Sequence, residues 1–275
     1  MTNEQFRAKY GPWAVVTGAS DGIGREFAQT LATRGLNLVL VARRESLESF
    51  AADLESTGVK ARAIRADLST TAGVQAVEDA CRDLPIGLFI ASAGFGTSGP
   101  FLSNDRTTEL AMLDVNCRAL VSLSHHFGRR FAAEGRGGMI LLSSLLAFQG
   151  VPRAAHYAAT KAFVQTLAEG LRHELRPLGV DVLSVAPGPV NTGFAERADM
   201  NMGMALPPSA VARRSLDALG RWTTVRPGWL SWFLELSLST VPRFMRTRIL
   251  AKIMHGFTKH QPPLPAGAQV APKSG

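Results

Sequence analysis

Short runs of continuously apolar residues alternate along this chain with longer stretches whose apolar positions recur at helical spacing. The first run, Trp13-Ala14-Val15-Val16-Thr17, reads as a buried strand opened by Gly11-Pro12, and residues 22–34 read as a helix ended by Gly35. The alternation continues with strands over 37–42, 59–65 and 87–91 and helices over 45–56 and 70–82. A long helical region spans 106–133 and precedes a strand over 138–142. A helix over 155–176 is stopped by Pro177 and Gly179, and the strand 180–185 runs into Pro187-Gly188-Pro189.

Strands without a polar face need cover on both sides, which a parallel sheet between two helical layers supplies. The expected fold is therefore α/β: a single doubly wound Rossmann-type domain with a parallel sheet, plus a C-terminal helical extension. Its ligands should lie at the carboxyl ends of the strands. Along the chain, the doubly wound core is expected over 1–192, followed by a C-terminal segment of the same domain over 193–260. The Pro-, Gly- and Ala-rich stretch 261–275 is expected to be disordered.

At 275 residues and 46% hydrophobic content, the chain can bury the core of one domain. Its net charge of +8 is unevenly placed. Residues 1–206 hold 20 Lys and Arg against 20 Asp and Glu, whereas 207–275 hold 10 against only Asp217 and Glu235. The excess belongs to the C-terminal segment and says nothing about the core; no nucleic-acid partner is expected. Cys81 and Cys117 show no metal or redox spacing, so a reduced compartment and no metal site are expected. The first residues lack the apolar stretch of a secretory signal, and no uncharged apolar run reaches about 18 residues. The expected location is cytoplasmic, with peripheral contact at a membrane surface left open.

Two segments carry the candidate chemistry. Thr17-Gly18-Ala19-Ser20-Asp21-Gly22-Ile23-Gly24 is a glycine-rich turn between a strand and a helix. There a backbone without Cβ can approach a pyrophosphate, and the helix N-terminus offers N–H donors to the anion. Tyr157 and Lys161 stand four residues apart on one helix, so their side chains share a face. A lysine beside a phenol favours the phenolate and brings proton exchange nearer neutrality than the free value of about 10. Thirteen residues before the tyrosine, Ser144 ends the run Leu141-Leu142-Ser143-Ser144. His125 and His126 point about 100° apart on a helix, a poor pair for a metal. His156 is expected to face a different side of its helix from Tyr157.

In order and distance these pieces resemble the short-chain dehydrogenase/reductase family over residues 11–192, most nearly its ketoacyl-reductase-like and steroid- or long-chain acyl-reductase-like part. The resemblance implies that Asn116, Ser144, Tyr157 and Lys161 form the catalytic set. It makes Tyr157 the general acid or base toward a carbonyl or alcohol. Lys161 is implied to lower the tyrosine pKa and to bond the nicotinamide ribose. Ser144 is implied to hold the carbonyl oxygen, and Asn116 to position a water. Ser143 competes for the serine role, and the thirteen-residue spacing favours Ser144.

For the cofactor, the resemblance implies Gly18, Ser20, Gly22, Ile23 and Gly24 in the turn and Asp67 against the adenine. It adds Ser92, Ala93 and Gly94 after the fourth strand, Pro187, Gly188 and Thr192 near the nicotinamide, and Tyr157 and Lys161 again. Where the family usually has Asn-Asn-Ala-Gly, this chain has Ala91-Ser92-Ala93-Gly94. A serine replaces some of an amide's hydrogen bonds but not its reach. The second strand ends in Ala42-Arg43-Arg44 with no acid, which favours NADP(H) over NAD(H). Arg43 is expected to meet the 2′-phosphate, with Arg44 facing solvent. The helices over 106–133 and 155–176 occupy positions the family commonly uses for pairing, which implies a homodimer or homotetramer.

Met200, Met202, Met204 and Leu206 fall where the family's substrate lid lies, and suit either an adaptable apolar pocket or ordinary core packing. A Trp-rich stretch over 227–234 then precedes a basic amphipathic helix over 242–259, with Thr240 near its cap. Met245, Ile249, Ile253 and Phe257 form its apolar stripe, widened by Leu250 and Met254; Arg248, Lys252, His255 and Lys259 fall opposite. Residues 227–259 fit peripheral contact with an anionic membrane, packing over the substrate pocket, or a partner-protein surface.

The whole leads to an expected NADP(H)-dependent oxidoreductase. It would reduce a carbonyl, or oxidise an alcohol, in an apolar substrate such as an acyl, lipid or steroid-like ketone. The alternative is an NADP(H)-responsive binding or regulatory protein of the same fold. The complete Asn116–Ser144–Tyr157–Lys161 set favours the enzyme.

Overall fold

A computed structural model describes residues 1–200, 205–228 and 241–261. Among them, seven parallel strands form one sheet: β1 (Trp13–Thr17), β2 (Asn37–Ala42), β3 (Ala61–Arg65), β4 (Ile86–Ala91), β5 (Gly137–Leu142), β6 (Val180–Val185) and β7 (Thr224–Val225). Their spatial order is β3-β2-β1-β4-β5-β6-β7, so the direction of winding reverses between β1 and β4. The crevice at that reversal, beyond the carboxyl ends of the strands, is where such a sheet takes a ligand.

One helical layer contains α1 (Asn3–Tyr10), α2 (Gly22–Thr33), α3 (Ser46–Glu55) and α9 (Pro208–Ala218); the other contains α4 (Thr71–Ala80), α6 (Leu120–Glu134) and α7 (Ala155–Leu175). Val16, Leu40, Ile90 and Val185 pack into the first layer with Phe27, Phe50 and Leu216. Their strand neighbours Val15, Val39, Phe89 and Val182 pack into the second with Phe127, Phe131 and Val164. Both faces of each central strand are therefore buried, and the uninterrupted apolar runs of the sequence are the result.

The structure adds elements and divides one. In α1, the Thr2 hydroxyl accepts from Gln5 N (3.2 Å) while Gln5 Oε1 accepts from Thr2 N (2.9 Å), and Phe6 and Tyr10 enter the core. This reciprocal cap makes a helix of an otherwise polar segment. The expected helix over 106–133 is two helices, α5 (Arg106–Leu113) and α6, joined by a π-helical stretch, Asp114–Ala119. Its wider turn interrupts the regular helical register, and buries Asn116.

Residues after 192 add to the core as well as to the crevice. α9 packs on α2 and into the core, and β7 extends the sheet beside β6. The pieces near the crevice are the short α8 (Phe194–Arg197) and α10 (Arg243–Phe257). Met202, Met204, residues 229–240 with Thr240 and most of the Trp-rich stretch, and residues 262–275 lie outside the described residues. No described helix is long and apolar enough to cross a membrane.

Candidate active site

β1 ends in Thr17, and the chain turns sharply through Gly18 to the N-terminus of α2. Gly18 has φ +68°, and a Cβ there would stand 2.9 Å from the Ala93 backbone, so the position demands glycine. The loop after β4 is tied at the same point. Thr17 Oγ1 accepts from Ser92 N and from Ala93 N, each at 3.1 Å, and donates to Ile90 O (3.3 Å). The buried threonine thus holds a loop that lacks the asparagines expected there. Thr192 rests its methyl against Gly22, closing the turn from the other side.

Every residue expected to hold the cofactor lines one cleft of about 390 Å³ along the carboxyl edge of the sheet. At the end of β2, Arg43 reaches towards Asp67 (3.8 Å). The Asp67 carboxyl is held below its usual range, chiefly by the Ser69 backbone N–H, with the Ser69 hydroxyl and Arg43 adding to it. Arg44 is exposed to solvent, as expected, and from the rim of the cleft turns back to Asp21 at 3.5 Å. Its reason is electrostatic: Asp21 gathers both Arg44 and, from α8, Arg197 at 2.9 Å. Partial burial raises the Asp21 pKa, but Arg197, the Gly22 N–H and Arg44 outweigh it and lower the value overall. Asp21 and Arg197 are site residues that sequence reasoning missed. Ion pairs between segments 176 positions apart leave no local pattern.

β5 delivers the two candidate serines. Ser143 Oγ donates to the Lys161 backbone carbonyl (3.0 Å) and so fastens α7 to the strand end. Ser144, in contrast, hydrogen-bonds the Tyr157 phenol and accepts from Leu146 N (3.2 Å). Tyr157 lies in the first turn of α7, its ring against Phe194 with centroids 5.4 Å apart. Lys161 follows one turn on, its ammonium donating to Leu142 O (2.8 Å) and 5.8 Å from the phenol ring centroid. Ser144, Tyr157 and Lys161 all line the cleft.

Asn116 does not reach the cleft surface; it stands behind it. Its amide donates to Phe95 O (2.9 Å) and Thr160 Oγ1 (3.0 Å), and its carbonyl accepts from Phe95 N (3.1 Å). A Cβ on Gly94 would sit 3.0 Å from Asn116 Oδ1 and 3.4 Å from Lys161 Nζ. Gly94 is the thin wall that lets these two groups approach.

The expected effect of Lys161 on the phenol is not what the structure displays. Burial pushes the Tyr157 pKa up to about 12, against the pull of the Ser144 hydrogen bond. Burial also pushes Lys161 down from 10.5 to about 8. Two groups taken out of water both favour their neutral forms, and the ammonium is aimed at the Leu142 carbonyl rather than at the phenolic oxygen.

The far end of the cleft is apolar. Met200, Leu250 and Met254 cluster with Val151, Ala154 and Ala158, with Leu146, Phe194 and Phe257 packed beside them. α10 is pinned there at its C-terminal end. Arg153, held at φ +65°, bonds Thr258, and Gln261 Nε2 donates to Ser98 Oγ (2.7 Å). His156 turns away from the cleft, as expected, and meets the buried Glu109 of α5. Glu109 also accepts from Thr97 Oγ1 (2.7 Å) and Asn104 Nδ2 (2.8 Å), tying the 97–104 loop to the helix that carries Tyr157. A single glutamate on a helix reads as surface, so this network too was invisible in the sequence.

A winding reversal with a glycine turn at its mouth, beside a serine, a tyrosine and a lysine, defines a nucleotide-dependent α/β enzyme. The chain belongs to the short chain dehydrogenase family, which matches residues 12–202. It is 33% identical to a 7β-hydroxysteroid dehydrogenase of Clostridium sardiniense, over 82% of this chain and 89% of that one. It is 32% identical to a very-long-chain 3-oxoacyl-CoA reductase of Neurospora crassa, over 92% of this chain and 81% of that one. Its fold is similar to that of a short-chain dehydrogenase from Sphingobium yanoikuyae in complex with NADPH, with TM-score 0.77 and 32% identity, covering 84% of this chain and 94% of that one. The chain is accordingly an oxidoreductase of CH–OH and C=O groups in the steroid- and acyl-reductase-like part of the family.

Proposed function

We propose that this protein is an NADP(H)-dependent reductase, working reversibly as an alcohol dehydrogenase, on an apolar ketone of acyl, lipid or steroid-like type. The observation that carries the reading is one cleft with two ends. A glycine turn with Arg43 and Arg44 lies at one end, an apolar wall of Met200, Leu250 and Met254 at the other, and Ser144, Tyr157 and Lys161 between them. NADP(H), when bound, supplies or accepts the hydride. The Tyr157 hydroxyl gives its proton to the carbonyl oxygen, which becomes the alcohol, and takes it back in the reverse direction. Ser144 holds that oxygen beside the phenol. Lys161 contributes positive charge from beneath the ring, and Asn116, bonded to Phe95 and Thr160, positions the loop after β4 against α7. The fit to a dinucleotide rests on this chain's own backbone: Gly18 lets the loop after β4 close against the turn, and α2 presents its N-terminus to the cleft there. NADPH oxidation should be faster with bulky apolar ketones than with small polar ones; the reverse order would reject the apolar reading.

Preference for NADP(H) follows from two guanidinium groups, with no acid at the end of β2. A charge-assisted bond to phosphate is worth roughly 1.5–3 kcal/mol. Arg43→Ala should therefore weaken NADPH binding by about tenfold or more while leaving NADH nearly unchanged. Equal binding of both cofactors by the unmodified protein would contradict the assignment.

Leu110 and Leu113 of α5, Val121 of α6 and Phe163 of α7 are exposed large apolar side chains on the helices expected to pair. They support a homodimer or homotetramer. Light scattering at micromolar concentration should give a multiple of the 29.4 kDa chain mass, and a monomeric mass would refute the pairing.

A further inference from the structure

The helix α10 has two apolar rows, and among the described residues only one of them is buried. Leu250, Met254 and Phe257 face inward and close the substrate end of the cleft. Phe244 (63% exposed), Met245 (44%), Ile249 (39%) and Ile253 (38%) form a second row that points outward. The sequence left open whether the stripe of Met245, Ile249, Ile253 and Phe257, widened by Leu250 and Met254, would pack on the pocket, meet a membrane or meet a partner; the structure buries Leu250 and Met254 and leaves Met245, Ile249 and Ile253 exposed. Ile253 belongs to both settings, since it is exposed and also lines the cleft. The outward row therefore leads directly to the mouth of the site.

The charge on this helix is of one sign. Arg243, Arg248 and Lys252 are exposed on the same helix, Arg248 lies over the Phe244 ring at 5.9 Å, and residues 243–257 contain no acid. A two-fold contact through α10 would set these cations against their own copies, so a second chain is an unfavourable cover. An anionic bilayer accepts both features at once: the large side chains enter the acyl boundary while the basic groups meet headgroup phosphates and carboxylates.

We infer that the outer face of α10 docks on an anionic membrane surface and holds the cleft mouth against the bilayer from which an apolar substrate enters. The inference rests on the reading of the cleft as a site for an apolar substrate. Its test does not need that substrate. The full chain, with NADPH, is sedimented with vesicles of phosphatidylcholine alone or phosphatidylcholine mixed with phosphatidylserine. Binding is expected on the mixed vesicles at low salt, little on the neutral ones, and release at high salt. Phe244→Ser/Met245→Ser/Ile249→Ser, none of which lines the cleft, should weaken vesicle binding about tenfold or more. Arg248→Glu/Lys252→Glu should do the same, and both variants should bind NADPH as the parent does, which reports that they are folded. No sedimentation at low salt, equal sedimentation on neutral vesicles, or undiminished binding by the serine variant would each overturn the proposal. So would a change in oligomeric mass of that variant with its vesicle binding intact, which would assign the row to a second copy. Turnover of a soluble ketone, measured without vesicles, separates failure of docking from failure of the proposed reaction.

Discussion

Replacing Tyr157 with phenylalanine is expected to abolish turnover and leave NADPH binding almost unchanged. The ring keeps its place against Phe194 and Gly96, so the packing of the cleft survives. What disappears is the proton that must reach the carbonyl oxygen. General acid catalysis of this kind contributes about 10²–10⁴-fold, and a loss in that range or beyond is expected in kcat. The wild-type pH profile carries the same signature. With its pKa pushed up to about 12, the phenol stays protonated at neutral pH, the form needed for reduction. Alcohol oxidation needs the phenolate instead, and its rate should climb as pH rises from neutrality. A folded Tyr157→Phe protein with substantial activity would remove the tyrosine from the mechanism.

Lys161→Met should lose activity and gain stability. The lysine is buried and its pKa falls from 10.5 to about 8, so at pH 7 the fold carries a desolvated charge. The unfolded chain binds more protons than the folded one between those two values. Stability contributed at this site therefore rises with pH across that window, and the full penalty is present below about 8. A shift of this size corresponds to on the order of 3 kcal/mol. Losing the hydrogen bond to Leu142 O returns about 1–2 kcal/mol of that. The methionine variant should thus be more stable at pH 7 by roughly 1–2 kcal/mol, with the advantage shrinking as pH approaches 10.5. Denaturant unfolding at pH 7 and pH 10 reads this directly; a variant less stable at pH 7 would show that the charge is better compensated than its burial implies.

The sheet was legible because its central strands are buried on both faces. The strand expected over 180–185 is β6 to the residue, since Gly179 and Ala186-Pro187 leave its ends no latitude. The cofactor turn and the Ser144, Tyr157 and Lys161 positions were legible through spacing, which survives folding because a strand end and a helix face convert separation into proximity. Periodicity fails where two apolar rows share one helix. On α10 it gave one broad stripe, Met245, Ile249, Ile253 and Phe257 with Leu250 and Met254, and could not tell which of these side chains the fold would bury. The α1 cap was written in Thr2 and Gln5, but only Phe6 and Tyr10 supply an apolar signal there. Asp21 with Arg197, and Glu109 with His156, join segments remote in sequence, and such partnerships become visible only in three dimensions. Proximity of Lys161 to Tyr157 can be read from spacing, but the depth at which the phenol is buried, which raises its pKa, cannot.

The proposed reaction is hydride and proton delivery to a ketone held between the glycine turn and α10. Its most direct test is reduction of an apolar ketone with NADPH deuterated at the transferable position, followed by mass analysis of the product. One deuterium on the carbinol carbon for each NADPH consumed, with no product from Tyr157→Phe, is the predicted result. A protein that binds NADPH yet reduces neither an oxo-steroid nor a 3-oxoacyl thioester, or that yields an alcohol free of deuterium, would contradict it.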